Sequence, residues 1–175
     1  LKHHPAQFAT IKLQVQDMSE PHTFTIASAP HEPDLRFFIR DLGDWTKRLQ
    51  GMDLVDAEVY VEGPFGEFAP MPKNPSPTYW IAGGVGITPF LSITETLEPT
   101  ELGDRPVLLY CVRSRQEAMA VETLERAAND GRIRLEWFES SAGRRFGSET
   151  FAELLGGKDL SEAHVAVCGP GGLIQ

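Results

Sequence analysis

Along residues 8–15 apolar and polar side chains alternate, the period of a strand with one face buried. Shorter apolar runs at 24–27, 35–39 and 57–61, each bounded by Pro, Gly or Asp, predict further strands. A short helix is expected over 44–49. Residues 1–68 therefore read as an antiparallel barrel or sheet. Residues 69–78 hold four prolines, which suit neither a strand interior nor a helix, and read as a linker. Beyond it the pattern changes to blocks. Strands are expected at 79–82, 107–112, 133–138 and 165–168, and continuous apolar runs such as 107–112 suit a parallel sheet covered on both faces. Helical spacing falls between them, at 89–97, 116–129 and 149–155. Ser114 with Glu117 three residues later reads as a capping box for the second of these helices. Residues 79–175 thus predict a doubly wound α/β unit, whose ligands lie at the carboxyl ends of the strands.

The chain has 175 residues, 41% of them hydrophobic, enough for a core in each of two small units. Its net charge of -9 argues against nucleic acid, which needs clustered cations. The two cysteines, Cys111 and Cys168, sit in apolar runs, and a reduced intracellular setting is expected. No run approaches the ~20 apolar residues of a membrane span, and no secretory leader is read at the start. Both ends fall at the edge of an element, so a piece of something longer is expected. No metal site is expected, because the histidines lack Cys or carboxylates at ligand spacing.

Candidate chemistry gathers at strand ends. Gly83, Gly84, Val85 and Gly86 follow the apolar run 79–82, and Ile87, Thr88 and Pro89 open a helix. Glycines let a pyrophosphate approach backbone N–H groups at a helix N-terminus. The same turn equally suits close strand–helix packing. It lacks the Lys-Ser/Thr of a P-loop, which excludes that type of nucleotide hydrolysis. Cys168, Gly169 and Pro170 form a second such turn after the last strand. Arg113, Ser114 and Arg115 follow the second strand, where they either hold a ribose or 2′-phosphate or cap a solvated turn. Arg144 and Arg145 stand as reinforcement or as plain loop charges. In the first half, Phe24 and Thr25 could stack on and hydrogen-bond to a planar ring. Arg40, Gly43 and Thr46 mark a second helix start.

Six ordered motifs resemble the ferredoxin–NADP reductase superfamily, and most of all its ferric reductase and NADPH oxidase branch. Gln7-Phe8-Ala9 after Pro5 resembles the P-G-Q-F strand, with Ala6 in place of glycine. His22-Thr23-Phe24-Thr25 resembles H-P-F-T, with Thr23 in place of proline. Gly43-Asp44-Trp45-Thr46 is similar to the G-x-x-[ST] pyrophosphate helix, and Gly63-Pro64-Phe65-Gly66 to the G-P-[YF]-G turn. Gly83 through Pro89 and Cys168-Gly169-Pro170 match the nicotinamide-domain motifs.

The resemblance implies an FAD-binding barrel, incomplete here because about four of six strands are readable, followed by an NAD(P)H domain shortened at its C-terminus. It implies FAD and NADPH or NADH as cofactors. Phe24 would stack on the isoalloxazine and Thr25 reach its N5 region. His22 and Thr46 would approach the ribityl or pyrophosphate part, Arg40 would meet phosphate, and Thr88 and Cys168 would line the nicotinamide pocket. Hydride would pass from NAD(P)H to FAD, and single electrons onward to a haem or ferric acceptor. A haem-bearing transmembrane domain upstream, with this module on the cytoplasmic side of the membrane, follows from the branch. A soluble flavin or oxygenase reductase component, or a non-catalytic nucleotide-binding module, are the alternatives.

Overall fold

The computed structural model describes residues 1–15, 17–156 and 161–174. Two sheets organise it. In the first, β1 (Phe8–Leu13) lies between β2 (His22–Thr25) and β3 (Val59–Phe65), antiparallel to both. Ala9, Ile11 and Leu13 point inward and Phe8, Thr10 and Lys12 outward, as the alternation requires. The short helix α1 (Asp44–Gln50) buries Trp45 against Ile11, Leu13 and Met18. Gly63, Pro64 and Phe65 continue β3 where a turn is expected, and the strand ends before Gly66, which takes φ +95°.

The second sheet is parallel, in the order β6 (Arg134–Glu139), β5 (Val107–Val112), β4 (Thr78–Gly83), β7 (His164–Cys168). β4 is buried at every position, which accounts for its lack of alternation. Helices α2 (Thr88–Thr94) and α3 (Val121–Asn129) bring Phe90, Leu91 and Leu124 against Trp80, Leu108 and Tyr110 on one face. Helix α4 (Ser148–Leu155) brings Phe151 and Leu154 against Ile81, Leu109 and Phe138 on the other. The chain builds outward from β4 to β6, then returns to β7 on the far side of β4. The switch in direction therefore falls at the ends of β4 and β7, where a crevice opens in such sheets. A short helix α5 (Gly171–Ile174) follows β7. No helix among the described residues is long and apolar enough to cross a membrane.

The two sheets share a seam. The Ala6 N–H donates to Ser92 Oγ on α2 at 2.7 Å, buried, and Ala6, Ala27 and Phe38 join the core under β4. Trp80 Nε1 donates to the Pro70 carbonyl at 2.8 Å, and Phe68 meets Phe90 edge-on. Residues 66–77 carry no regular element but are held by these contacts.

Two expectations are corrected. Residues 35–39 form no strand. Their consecutive apolar side chains serve two cores instead: Phe37 and Ile39 pack beside Trp45, while Phe38 packs into the core under β4. The segment is a strap, tied by Ala27 N–H to the Arg36 carbonyl at 2.8 Å. The helix expected over 116–129 starts only at Val121, after a tight turn at Arg115–Glu117 and a left-handed Ala120 at φ 54°. Ser114 makes no side-chain cap. The Glu139 carboxylate takes the Arg115 N–H at 3.0 Å, and the Tyr110 hydroxyl takes the Met119 N–H at 3.1 Å. Tertiary acceptors thus replace the local capping box.

Candidate functional site

The glycine turn sits where β4 meets a single tight turn, Gly84–Ile87, that leads directly into α2. Gly84 has φ +54°, a conformation glycine adopts without steric cost. A Cβ on Gly86 would run into the Cys168 carbonyl. One on Gly83 would lie 2.8 Å from Pro170 Cδ, and one on Gly169 3.1 Å from Gly83 N. The turns after β4 and β7 are therefore packed backbone to backbone, so the glycines serve packing as well as leaving the rim open. The Thr88 hydroxyl donates to the Val85 carbonyl at 3.1 Å. Burial pushes the Cys168 thiol up and the Cys111 thiol up to about 12. Both stay protonated at neutral pH, so neither is a ready nucleophile.

Facing this turn across a cleft of about 1280 Å³ are residues of the first unit: Thr23, Phe24, Thr25, Phe38, Arg40, Leu42 and Thr46. Phe24 is half-buried, its ring centroid 6.0 Å from that of Trp45. Arg40 crosses the seam: a Cβ on Gly84 would lie 3.4 Å from its Nη1. The Thr46 hydroxyl accepts from the Leu42 and Gly43 N–H groups and donates to the Gly43 carbonyl, so its bonding capacity is already used.

The carboxyl ends of β5 and β6 supply the far rim. Arg113 extends there with a 79% exposed side chain and a 3.9 Å approach to Glu117. Arg144 lies 4.8 Å over the Phe138 ring and 3.6 Å from Glu136, and Arg145 stands beside it on the rim.

The cleft gathers Phe24, Thr25, Arg40, Thr46, Gly83, Gly84, Val85, Gly86, Thr88, Arg113, Cys168, Gly169 and Pro170. It does not gather the other candidates. His22 packs its ring 4.1 Å from Trp45, and its buried Nε2 has no hydrogen-bond partner among the described residues. Gly43 lies outside the lining, its N–H held by the Thr46 hydroxyl at 3.0 Å. Ile87 and Pro89 are buried in the core beneath the turn. Arg115 stacks 4.5 Å over Trp137 and pairs with Glu125 and Glu139, and Ser114 lies outside the lining with it. Reasoning from sequence overlooked Phe38, Met119, Phe138, Ser140 and Leu173, all in the lining. The rule that ligands lie at the carboxyl ends of strands would have found Phe138 and Ser140. Nothing in the local pattern marks Phe38 or Met119.

The arrangement fits the two groups that the sequence suggests. Backbone at Gly83, Gly84 and Gly86 lines one wall, aromatic and hydroxyl side chains the other, and Arg40 and Arg113 bring positive charge.

Comparisons with known proteins bear on the family and the fold. The profile of the oxidoreductase NAD-binding domain matches residues 80–175, and that of an FAD-binding domain matches residues 1–69. Dual oxidase 2 of Rattus norvegicus is 38% identical over 87 residues, 45% of this chain. NADPH oxidase 4 of Homo sapiens is 32% identical over 114 residues, 55% of this chain. The matched regions span only 6% and 20% of those relatives. Among solved structures, an Amycolatopsis cytochrome P450 reductase superposes with a TM-score of 0.78 at 20% identity, covering 99% of this chain and 55% of its own. A Plasmodium falciparum ferredoxin-NADP+ reductase mutant, in complex with 2′P-AMP, gives 0.77 at 16%, covering 98% and 75%. These superpositions establish the two-domain fold.

Proposed function

This chain belongs to the oxidoreductase NAD-binding domain family, and on that premise we propose that it is an NAD(P)H-dependent flavin oxidoreductase module. The observation that carries the reading is a cleft walled by the glycine turns of β4 and β7 on one side and by Phe24, Thr25 and Arg40 on the other. Residues 1–68 are the FAD-binding unit, 69–78 the linker and 79–175 the nucleotide unit. FAD held there would take hydride from NAD(P)H and release electrons singly, which nicotinamide does not readily do.

The chain's own residues bind and orient. Phe24 presents an aromatic face and Thr25 a hydroxyl to a planar ring. Arg40 neutralises phosphate charge at the seam. The Val85 amide lies in the first turn after β4, ahead of the first N–H that the turn itself satisfies, and such a group favours an anion. Thr88 and Cys168 shape the floor near the ring. Cys168 acts as a neutral thiol that packs, in keeping with its raised pKa. Arg113 at the end of β5 meets the 2′-phosphate of NADPH. That placement is supported by its reach and by the lack, among the described residues, of any partner nearer than Glu117 at 3.9 Å. The electron acceptor is a haem or ferric centre, in a membrane domain of the longer protein. Similarity to dual oxidase 2 and NADPH oxidase 4 supports this assignment.

The test is direct. Protein loaded with FAD is mixed anaerobically with NADPH or NADH, and the flavin absorbance is followed. Bleaching is expected, faster with NADPH. Failure to retain FAD, or retained FAD that neither nucleotide bleaches, would refute the reading.

A further inference from the structure

Tyr110 does not belong to any motif, and it is fully buried beneath the cleft. Its ring packs 5.2 Å from that of Trp137. Its hydroxyl donates to the Gly84 carbonyl at 3.1 Å and accepts the Met119 N–H at 3.1 Å. Both partners line the cleft, Gly84 in the glycine turn and Met119 in the segment before α3. One side chain thus ties two walls together, 26 residues apart in one direction and 9 in the other.

The geometry reaches further. In a planar trans peptide the carbonyl and the next N–H point in opposite directions. Turning the Gly84 carbonyl down onto Tyr110 turns the Val85 N–H away from it, and Val85 lines the cleft. Gly84 sits at φ +54° and has no side chain to hold that peptide plane; the tight turn Gly84–Ile87 supplies one tie to its carbonyl, and the Tyr110 hydroxyl supplies a second from outside the turn. Burial raises the phenol pKa, opposed in part by the Met119 amide and by the Arg40 guanidinium. The hydroxyl therefore keeps its proton, and can donate, across neutral pH.

We infer that Tyr110 is a positioning residue for the nicotinamide nucleotide: its hydroxyl sets the Gly84–Val85 peptide so that the Val85 N–H faces the bound anion. This rests on the nucleotide reading of the cleft given above. Tyr110 touches no ligand and acts through the turn.

Calorimetric titration with NADPH, paired with thermal melts, separates positioning from plain stability. Tyr110→Phe keeps the ring packing and removes the bridge, and should bind NADPH about tenfold more weakly. Trp137→Phe loosens the same packing but leaves the hydroxyl, and should melt lower while keeping the parental Kd. A Tyr110→Phe protein within twofold of the parental Kd would overturn the inference, as would equal weakening by Trp137→Phe. If Tyr110→Phe does not fold, Met119→Pro removes the amide from the other side of the bridge. Ala118, at φ -74° and ψ 143°, already has the extended backbone that a following proline needs. Met119→Pro should then bind more weakly than Met119→Ala, and equal affinity would overturn the inference. A parent that binds neither NADPH nor NADH would sink the nucleotide reading itself, whereas a binding parent with an unaffected Tyr110→Phe sinks only this step.

Discussion

At Gly86 a single hydrogen decides how closely two strand ends approach. An added methyl would collide with the Cys168 carbonyl, which is backbone and cannot swing aside. Gly86→Ala should destabilise the protein by about 1–3 kcal/mol, as overpacking does, and should weaken NADPH binding by parting the two turns. A thermal melt and a calorimetric titration on the same sample check both effects. Thr88 and Cys168 pose a different question, because neither is built as a nucleophile. Thr88→Ala removes a hydroxyl bonded to the Val85 carbonyl, and Cys168→Ala removes a thiol beside the cleft. Each should slow flavin reduction by roughly tenfold through misplacement while leaving the melt within a few degrees. Parental rates in rapid-mixing traces would remove both from the machinery. Ala6 shows why a sequence departure can be tolerated. It takes φ +65°, where glycine would be unstrained, yet its methyl is buried in the shared core and its N–H is held by Ser92. The strain and the burial are each on the order of 1 kcal/mol and oppose one another.

At the scale of elements, the central parallel strands β4 and β5 were legible because burial on both faces forces continuous apolar runs. The strap at 35–39 was misread as a strand for an equally physical reason. A run of apolar residues reports that both sides of an extended chain are covered, and here the two coverings are separate cores rather than the faces of a sheet. The late start of α3 was invisible because its cause lies on other strands, in Glu139 and Tyr110. Leu124 anchors that helix on the sheet and is fully buried. Leu124→Ala should cost about 2–5 kcal/mol, read as a lower urea midpoint with an unchanged slope. The end of β5 carries a separate prediction. Arg113 reaches the cleft while Arg115 is held by Trp137, Glu125 and Glu139. Arg113→Ala should lower kcat/KM for NADPH about 10–100-fold and spare NADH. Arg115→Ala should change the ratio little. Steady-state assays with both nucleotides decide this, and an equal loss for both would remove Arg113 from the phosphate site.

For the whole molecule, stability and charge give measurable consequences. Burial pushes the Cys111 thiol up to about 12. Above about pH 9 the unfolded chain releases that proton while the folded chain keeps it. Fewer bound protons in the unfolded state mean that stability falls as pH rises, until the folded thiol also ionises near 12. Cys111→Ala should therefore lose less stability than the parent between pH 8 and pH 10.5, seen in urea midpoints. The chain carries -9 overall while arginines rim the cleft, so added salt should raise KM for NADPH by screening that local attraction. By itself the sequence determined the existence and type of each sheet, because periodicity follows directly from which faces are buried. It also placed two glycine turns at strand ends, since only glycine meets that backbone demand. Tertiary structure alone decided which residues share the cleft. Arg40 crosses from one sheet to the other, Arg115 turns away onto Trp137, and Tyr110 reaches Gly84 across 26 positions. Those outcomes depend on through-space partners that no local pattern encodes, because a side chain's direction is settled by the elements packed around it.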